Sequence, residues 1–356
     1  MGMKRKLFNL FLLSACGLSA ISCGERNAEP LDRVISFDAC IASADISKAV
    51  YGDISGSVQP LYWQLGDRIT VFCSESLGDI HRAEYSISSL QPGSYTTDNY
   101  ASVTNVTEDV LQWNTGSHTF YAVSPGITVT GCSLDGNVIT GKIPASQNAG
   151  AVSGSGNKVV APDMNNMYMV AKTVYPTDAI PPILTFKPMT TAVQITLENG
   201  FRSESSLNVS SISLTSASKF LSGGFKIDMD QAGENDRQKT VLDPVTAANG
   251  STVSVNFDTP VAVAYGKSIT VTLFLNPGNT VDDLTLTVAG TNAGNGNPYS
   301  LSTVLEYGNG NGVVFATHKK TILSGLVLPE RIEWKIDNQL VVTPWVNAGT
   351  GIPLGI

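Results

Sequence analysis

Residues 132–143 read Cys-Ser-Leu-Asp-Gly-Asn-Val-Ile-Thr-Gly-Lys-Ile. Asp135-Gly136 stands between two short runs that alternate apolar and polar. Asp-Gly in that setting is a strong signal for a tight hairpin, because a primed turn needs residues that tolerate positive φ. The stretch predicts strand, turn, strand. The chain on both sides repeats the pattern. Upstream, Val34-Ile35-Ser36-Phe37-Asp38-Ala39-Cys40 alternates imperfectly, and Arg68-Ile69-Thr70-Val71-Phe72-Cys73 alternates clearly. Further strands are expected at 118–123, 167–174, 183–197, 209–215, 225–229 and 252–257. Others follow at 268–275, 284–288, 300–305, 322–328 and 331–336. Thr, Ser, Val and Ile dominate these runs, as a pleated half-buried surface prefers. The loops between them are dense in Gly, Asn, Ser and Pro. No helical stripe of any length appears after the first residues. The expected fold class is all-β, built as antiparallel sandwiches or barrels.

Tyr175-Pro176-Thr177-Asp178-Ala179-Ile180-Pro181-Pro182 concentrates three prolines and reads as a stiff connection between two halves of similar size. The expected units are an N-terminal sandwich over 33–181 and a C-terminal sandwich over 182–337, followed by a tail over 338–356. The start of the chain reads as an export signal. Lys4, Arg5 and Lys6 precede an apolar stretch that is interrupted by Asn9, Ser14 and Ser19. It is too short and broken for a spanning helix and suits a signal-peptide core. Ala20-Ile21-Ser22-Cys23 resembles a bacterial lipobox, so residues 1–22 are expected to be removed and Cys23 to carry lipid. Leu13-Ser14-Ala15-Cys16 matches the pattern better locally, but a start at Cys16 leaves apolar Leu18, Ala20 and Ile21 at the mature start, so Cys23 is preferred. Residues 23–32 then form a soluble tether. Several acyl chains anchor firmly where one is marginal.

The 356 residues carry net charge −8. Cleavage before Cys23 removes three positive charges and no acid, leaving −11. A nucleic-acid binder needs a basic face, which this composition lacks. Cys40, Cys73 and Cys132 are too widely spaced for a CxxC metal or redox motif, and a buried thiol is the simplest reading of Cys40 and Cys73. The histidines, His81, His118 and His318, form no close pair and no HExxH, so no metal is expected. His118 reads as a strand-end residue. Gly154-Ser155-Gly156-Asn157-Lys158 lacks Walker spacing and reads as a surface loop. The stretch from Asp228 and Asp230 to Asp236 is the best metal candidate, but Ala232 breaks the calcium-loop pattern, so a strand running into a polar turn is preferred. Trp63, Trp113, Trp334 and Trp345 are expected to pack in cores. With no G-x-S-x-G elbow and no cofactor motif, neither an enzyme nor a cofactor is expected.

Several stretches together resemble the fimbrillin-like lipoproteins of anaerobic gut and oral bacteria. Trp63-Gln64-Leu65-Gly66-Asp67-Arg68-Ile69-Thr70-Val71-Phe72 is similar to that family's W-x-x-G-D-x-I-x-V-F signature. Physically it reads as an aromatic anchor, a Gly-Asp turn and a buried strand. Thr119-Phe120-Tyr121-Ala122-Val123-Ser124-Pro125 resembles the family's F-Y-A-x-x-P strand. Met167-Tyr168-Met169-Val170-Ala171-Lys172, followed by Leu184-Thr185-Phe186-Lys187-Pro188-Met189, resembles its domain junction, and Val342-Thr343-Pro344-Trp345 fits its tail.

The resemblance implies two transthyretin-like β-sandwiches and a place in a type V pilus as stalk, tip or anchor. It implies outer-membrane lipidation, with other pilus subunits and host or bacterial surface ligands as partners. It also implies that a surface protease cuts at a basic residue, removes the first strand and opens a groove for a neighbour's strand. On this chain the removed strand would be 34–41 and the cut would fall between Lys48 and Ala49. The donor would be 340–346, with Leu340, Val342 and Trp345 as candidate anchors. Family members place arginine at the cut, so Lys48 is a departure, and Pro344 interrupts the donor. Cutting at Arg33 would leave the first strand in place. The alternatives are an anchor that keeps its first strand and a non-polymerising surface lipoprotein that binds glycan or matrix.

Overall fold

Alternation along Arg68–Phe72 sets the pattern for the whole chain: Ile69 and Val71 are fully buried on one side of the strand. The computed structural model describes residues 34–41, 50–51, 61–91, 100–176, 181–201, 206–230, 242–244, 250–277, 280–305, 313–315 and 319–341. The candidate residues Cys23, Lys48, Ala49, Val342 and Trp345 lie outside them, as do His318 and residues 231–236. The protein is nearly all β; one helical turn, Ile127–Thr130, and one 3-10 turn, Met164–Asn166, are the helical pieces among the described residues.

Seven strands close into a barrel. Their order is Asp38–Ile41, Ile183–Pro188, Met169–Tyr175, His118–Ser124, Arg68–Phe72, Arg82–Gln91 and Tyr100–Asn105. Neighbours run antiparallel except at one seam, where Asp38–Ile41 lies parallel to Ile183–Pro188. Inside sit Trp63, Phe37, Phe120 and Phe186, each almost fully buried. Burying each such ring contributes about 1.5–3 kcal/mol.

Two further sheets form a sandwich. The six-stranded sheet runs Val152–Ser153, Lys158–Val160, Ser268–Leu275, Thr191–Asn199, Lys319–Val327 and Ile332–Val341. The five-stranded sheet runs Ser146–Asn148, Thr252–Val263, Leu207–Thr215, Thr285–Asn292 and Pro298–Val304. Val193, Ile195 and Leu197 from one sheet meet Val209, Ile212 and Leu214 from the other in a single apolar core.

A four-stranded side sheet ties the two parts together. It pairs Ser133–Asp135 and Val138–Ile143 with Gly223–Asp228 and Leu242–Pro244. Ile139, Ile143, Phe225 and Ile227 pack on Phe72, Val123 and Val170 of the barrel strands. Polar contacts lock its tip. Lys172 Nζ and Asn137 Nδ2 each donate to the Asp230 carboxylate at 2.6 Å.

The hairpin at 132–143 forms as its sequence predicts. Asp135 faces Val138 across a two-residue turn at Gly136-Asn137, with Gly136 at φ +61°. Three expectations change. The first sheet set is a closed barrel and not a sandwich. The stretch 183–197 is two strands, broken at Pro188, whose missing N–H cannot continue a central ladder. Its first piece, Ile183–Pro188, pairs back onto Met169–Tyr175, so the proline-rich stretch connects two strands of the barrel.

Candidate functional site

The place where the barrel closes depends on one short segment. Asp38–Ile41 pairs with Ile183–Phe186 on one side and with Tyr100–Ser102 on the other. Without it, those two strands share no ladder. Alternation puts Ile35, Phe37 and Ala39 into the core, at 1%, 2% and 0% exposure, while Val34 is left outside at 46%. The Phe37 ring meets Tyr85 and Phe120 edge-on at 5.2 and 5.1 Å. Backbone contacts extend beyond the ladder. Ile35 N–H donates to the Leu111 carbonyl (2.9 Å), and Asp38 N–H donates to Pro182 (3.1 Å). Ser102 Oγ donates to the Asp38 carboxylate at 3.1 Å. The segment thus fills an apolar slot and satisfies two strand edges at once.

The Trp63 stretch does what its sequence suggests. Trp63 is fully buried and meets Phe186 edge-on at 5.2 Å. The chain then turns at Leu65-Gly66, with Gly66 at φ +91°, a region that favours glycine. Asp67 Oδ2 accepts from Gln64 N–H at 2.8 Å and fixes the turn ahead of the strand. Phe186 also belongs to the slot's flanking strand, so the signature residue braces one wall of the slot.

Of the donor candidates, Leu340 lies within Ile332–Val341, paired with Lys320. Ile332–Val341 is an edge strand of the six-stranded sheet. Leaving it to donate 340–346 breaks the pairs of Leu340 and Val341 with Lys320 and Lys319.

The residues weighed for chemistry have structural partners. His118 is fully buried and sits edge-on to Trp113 at 4.9 Å. Its Nε2 accepts from Asn114 N–H (3.0 Å), and its Nδ1 donates to the Gly116 carbonyl (3.1 Å). Asp230 is held by Lys172, which keeps its carboxyl below the usual range. Among the described residues no cluster of three metal-ligating side chains occurs. Lys158 Nζ donates to Gly154 O (2.8 Å), closing the 154–158 stretch as a surface turn. Cys40, Cys73 and Cys132 form no disulfide with one another. Burial pushes the thiols of Cys40 and Cys73 up to about 12 and that of Cys132 to about 11, which keeps them protonated and unreactive. Burial also lowers the Lys320 ammonium to about 7. No sequence pattern announced that lysine.

No family model matches the chain, and no curated protein matches it. Solved structures do. A candidate cell adhesion protein from Bacteroides uniformis is similar at 13% identity and TM-score 0.49, covering 88% of this chain and 100% of its own. Another from Bacteroides fragilis is similar at 12% identity and TM-score 0.49, covering 89% of this chain and 100% of its own. A fimbrial protein from Bacteroides vulgatus is similar at 12% identity and TM-score 0.41, covering 88% of this chain and 100% of its own. At such identities and TM-scores these structures assign no partner, ligand or mode of assembly to this chain.

Proposed function

We propose that the chain is a structural or adhesive subunit of a cell-surface pilus, exported as an outer-membrane lipoprotein through Cys23 and assembled by strand exchange. One observation supports this above the rest: a barrel whose closure depends on one short segment near the start of the described residues. A cut between Lys48 and Ala49 separates that segment from everything after it. Its departure leaves Tyr100–Asn105 and Ile183–Pro188 with unpaired edges and opens the apolar slot that Ile35, Phe37 and Ala39 fill. A neighbour's tail, 340–346, offers the replacement segment, with Leu340, Val342 and Trp345 as candidate anchors. Main-chain pairing then supplies affinity and side-chain pockets supply register; donor-strand complementation is one of the standard cases of strand addition. Pro344 removes one ladder donor from that segment, so the stronger pairing falls before it. The chemistry is assembly, without catalysis.

Lysine at the cut favours a second reading, a pilus anchor that keeps its first strand. Lys48→Ala separates the two. Under strand exchange, high-molecular-weight polymers disappear from the cell-surface fraction while the subunit is still exported. Under the anchor reading, assembly is unchanged.

A further inference from the structure

The sandwich also has sheet edges, and one pair of them is covered by a segment from elsewhere in the chain. Residues 144–162 leave the side sheet after Val138–Ile143 and cross to the sandwich. They return through Met164–Asn166 to the barrel strand Met169–Tyr175. Ser146–Asn148 lies parallel to the edge strand of the five-stranded sheet, with Gln147 opposite Val255. Ser254 N–H donates to the Ala145 carbonyl at 2.8 Å, and Asn256 Nδ2 donates to Ser146 Oγ at 2.9 Å. Lys158–Val160 then lies parallel to Ser268–Leu275 of the six-stranded sheet, with Lys158 opposite Ile269. Val160 is buried in the sandwich core, and Ala149 packs on it.

Gln147 joins the two sheets. Its backbone belongs to the five-stranded sheet. Its side chain, 3% exposed, reaches the six-stranded one. Nε2 donates to the Phe274 carbonyl at 2.6 Å, and Oε1 accepts from Phe274 N–H at 3.0 Å. A side-chain amide thus pairs with both backbone groups of one residue, as a neighbouring strand would. Away from Gln147 and Val160 much of the arm faces solvent. Residues 151–155 are exposed, and Val152 and Val159 are 44% and 48% exposed.

We propose that this arm is an internal strand donor that guards the sandwich edges, with Gln147 as its closing residue. It keeps Thr252–Val263 and Ser268–Leu275 from pairing with the arm of a second copy. The cis arrangement identifies that occupant: the segment already seated there is the one these edges fit, and exchange of an identical element between copies is a low-cost route to a dimer. The guard concerns different edges from the barrel slot and does not depend on pilus assembly.

The test is Gln147→Ala in the purified full chain with its first strand in place, checked for native circular dichroism. The probe is a fluorescent peptide of residues 144–162. The variant is expected to bind the peptide, whose Gln147 its own arm lacks, while the unsubstituted protein leaves it unbound. A folded variant that leaves the peptide unbound overturns the proposal. If Gln147→Ala does not fold, the protein is nicked by a sequence-specific protease at a recognition site placed in the exposed residues 151–155 and incubated with the same peptide. Replacement of the nicked arm by the peptide supports the guard; an arm that stays seated, with no uptake, overturns it. None of these readouts involves Lys48 or the barrel slot, so failure here leaves strand exchange at the barrel untouched.

Discussion

The barrel is closed by Asp38–Ile41, which one cut downstream of it separates from the rest of the chain. The sandwich is edged by 144–162, a segment tied at both ends to other strands. The barrel's closing strand brings Ile35, Phe37 and Ala39 into a core and sits between two strands that share no other ladder. The sandwich's arm brings one buried valine, Val160, one glutamine amide and a few short pairings. The two proposals differ in how each segment leaves: the barrel's closure once and permanently, by proteolysis, and the sandwich's cover reversibly.

Substitution at the two cores gives the largest effects and asks whether the regions respond separately. Phe37→Ala removes a buried ring from the first strand and should cost about 3–5 kcal/mol in urea unfolding. Amide exchange should quicken in Tyr100–Asn105 and Ile183–Pro188 and stay slow in Leu207–Thr215. Ile212→Ala in the sandwich core should cost about 2–5 kcal/mol with the opposite exchange pattern. If both variants loosen both regions equally, the barrel and the sandwich are one cooperative unit, and the slot does not open on its own.

Lys320 probes the seam between them. It is 2% exposed and stands opposite Ala192, whose side chain, like that of Phe274, joins the barrel's core cluster. Burial lowers its ammonium from 10.5 to about 7, so between those values the unfolded chain holds a proton that the folded one lacks. Stability should therefore rise with pH from about 7, by up to about 1.4 kcal/mol per unit. Above about 9 the thiols of Cys40 and Cys73, raised to about 12, and of Cys132, raised to about 11, pull the other way, which leaves 7 to 9 as the clean window. Lys320→Met should flatten the slope there and raise stability at pH 7 in urea titrations. An unchanged slope would mean that the lysine is not buried in solution.

Gly66→Ala is the smallest and most local change. At φ +91° the added Cβ meets nothing but strains the backbone. A loss of about 1 kcal/mol is expected, with the slot's exchange rates unaltered. Faster exchange in Ile183–Pro188 would show that the turn also braces the slot wall.

These contrasts follow how much the sequence disclosed. The Asp-Gly hairpin and the Trp63 turn were legible because each is a local device, a turn residue between alternating runs. Arg82–Gln91 escaped because its pairing shifts between Ile87 and Ser89. That bulge moves Leu90 out of the parity set by Ala83, Tyr85 and Ile87. Closure of the barrel and the reach of Gln147 to Phe274 depend on partners more than a hundred residues apart, and no local period encodes them. The slot could be anticipated only through the family-like order of motifs. The arm could not be anticipated at all, since Gln147 looks like any polar strand residue until Phe274 is beside it.

The most direct test of strand exchange is the N-terminus of the protein in the polymer fraction from intact cells, read by mass spectrometry. A start at Ala49 is the predicted result: the first strand is gone and the slot is filled by another subunit. A lipidated Cys23 as the sole start would contradict it, because the barrel would still be closed by its own chain.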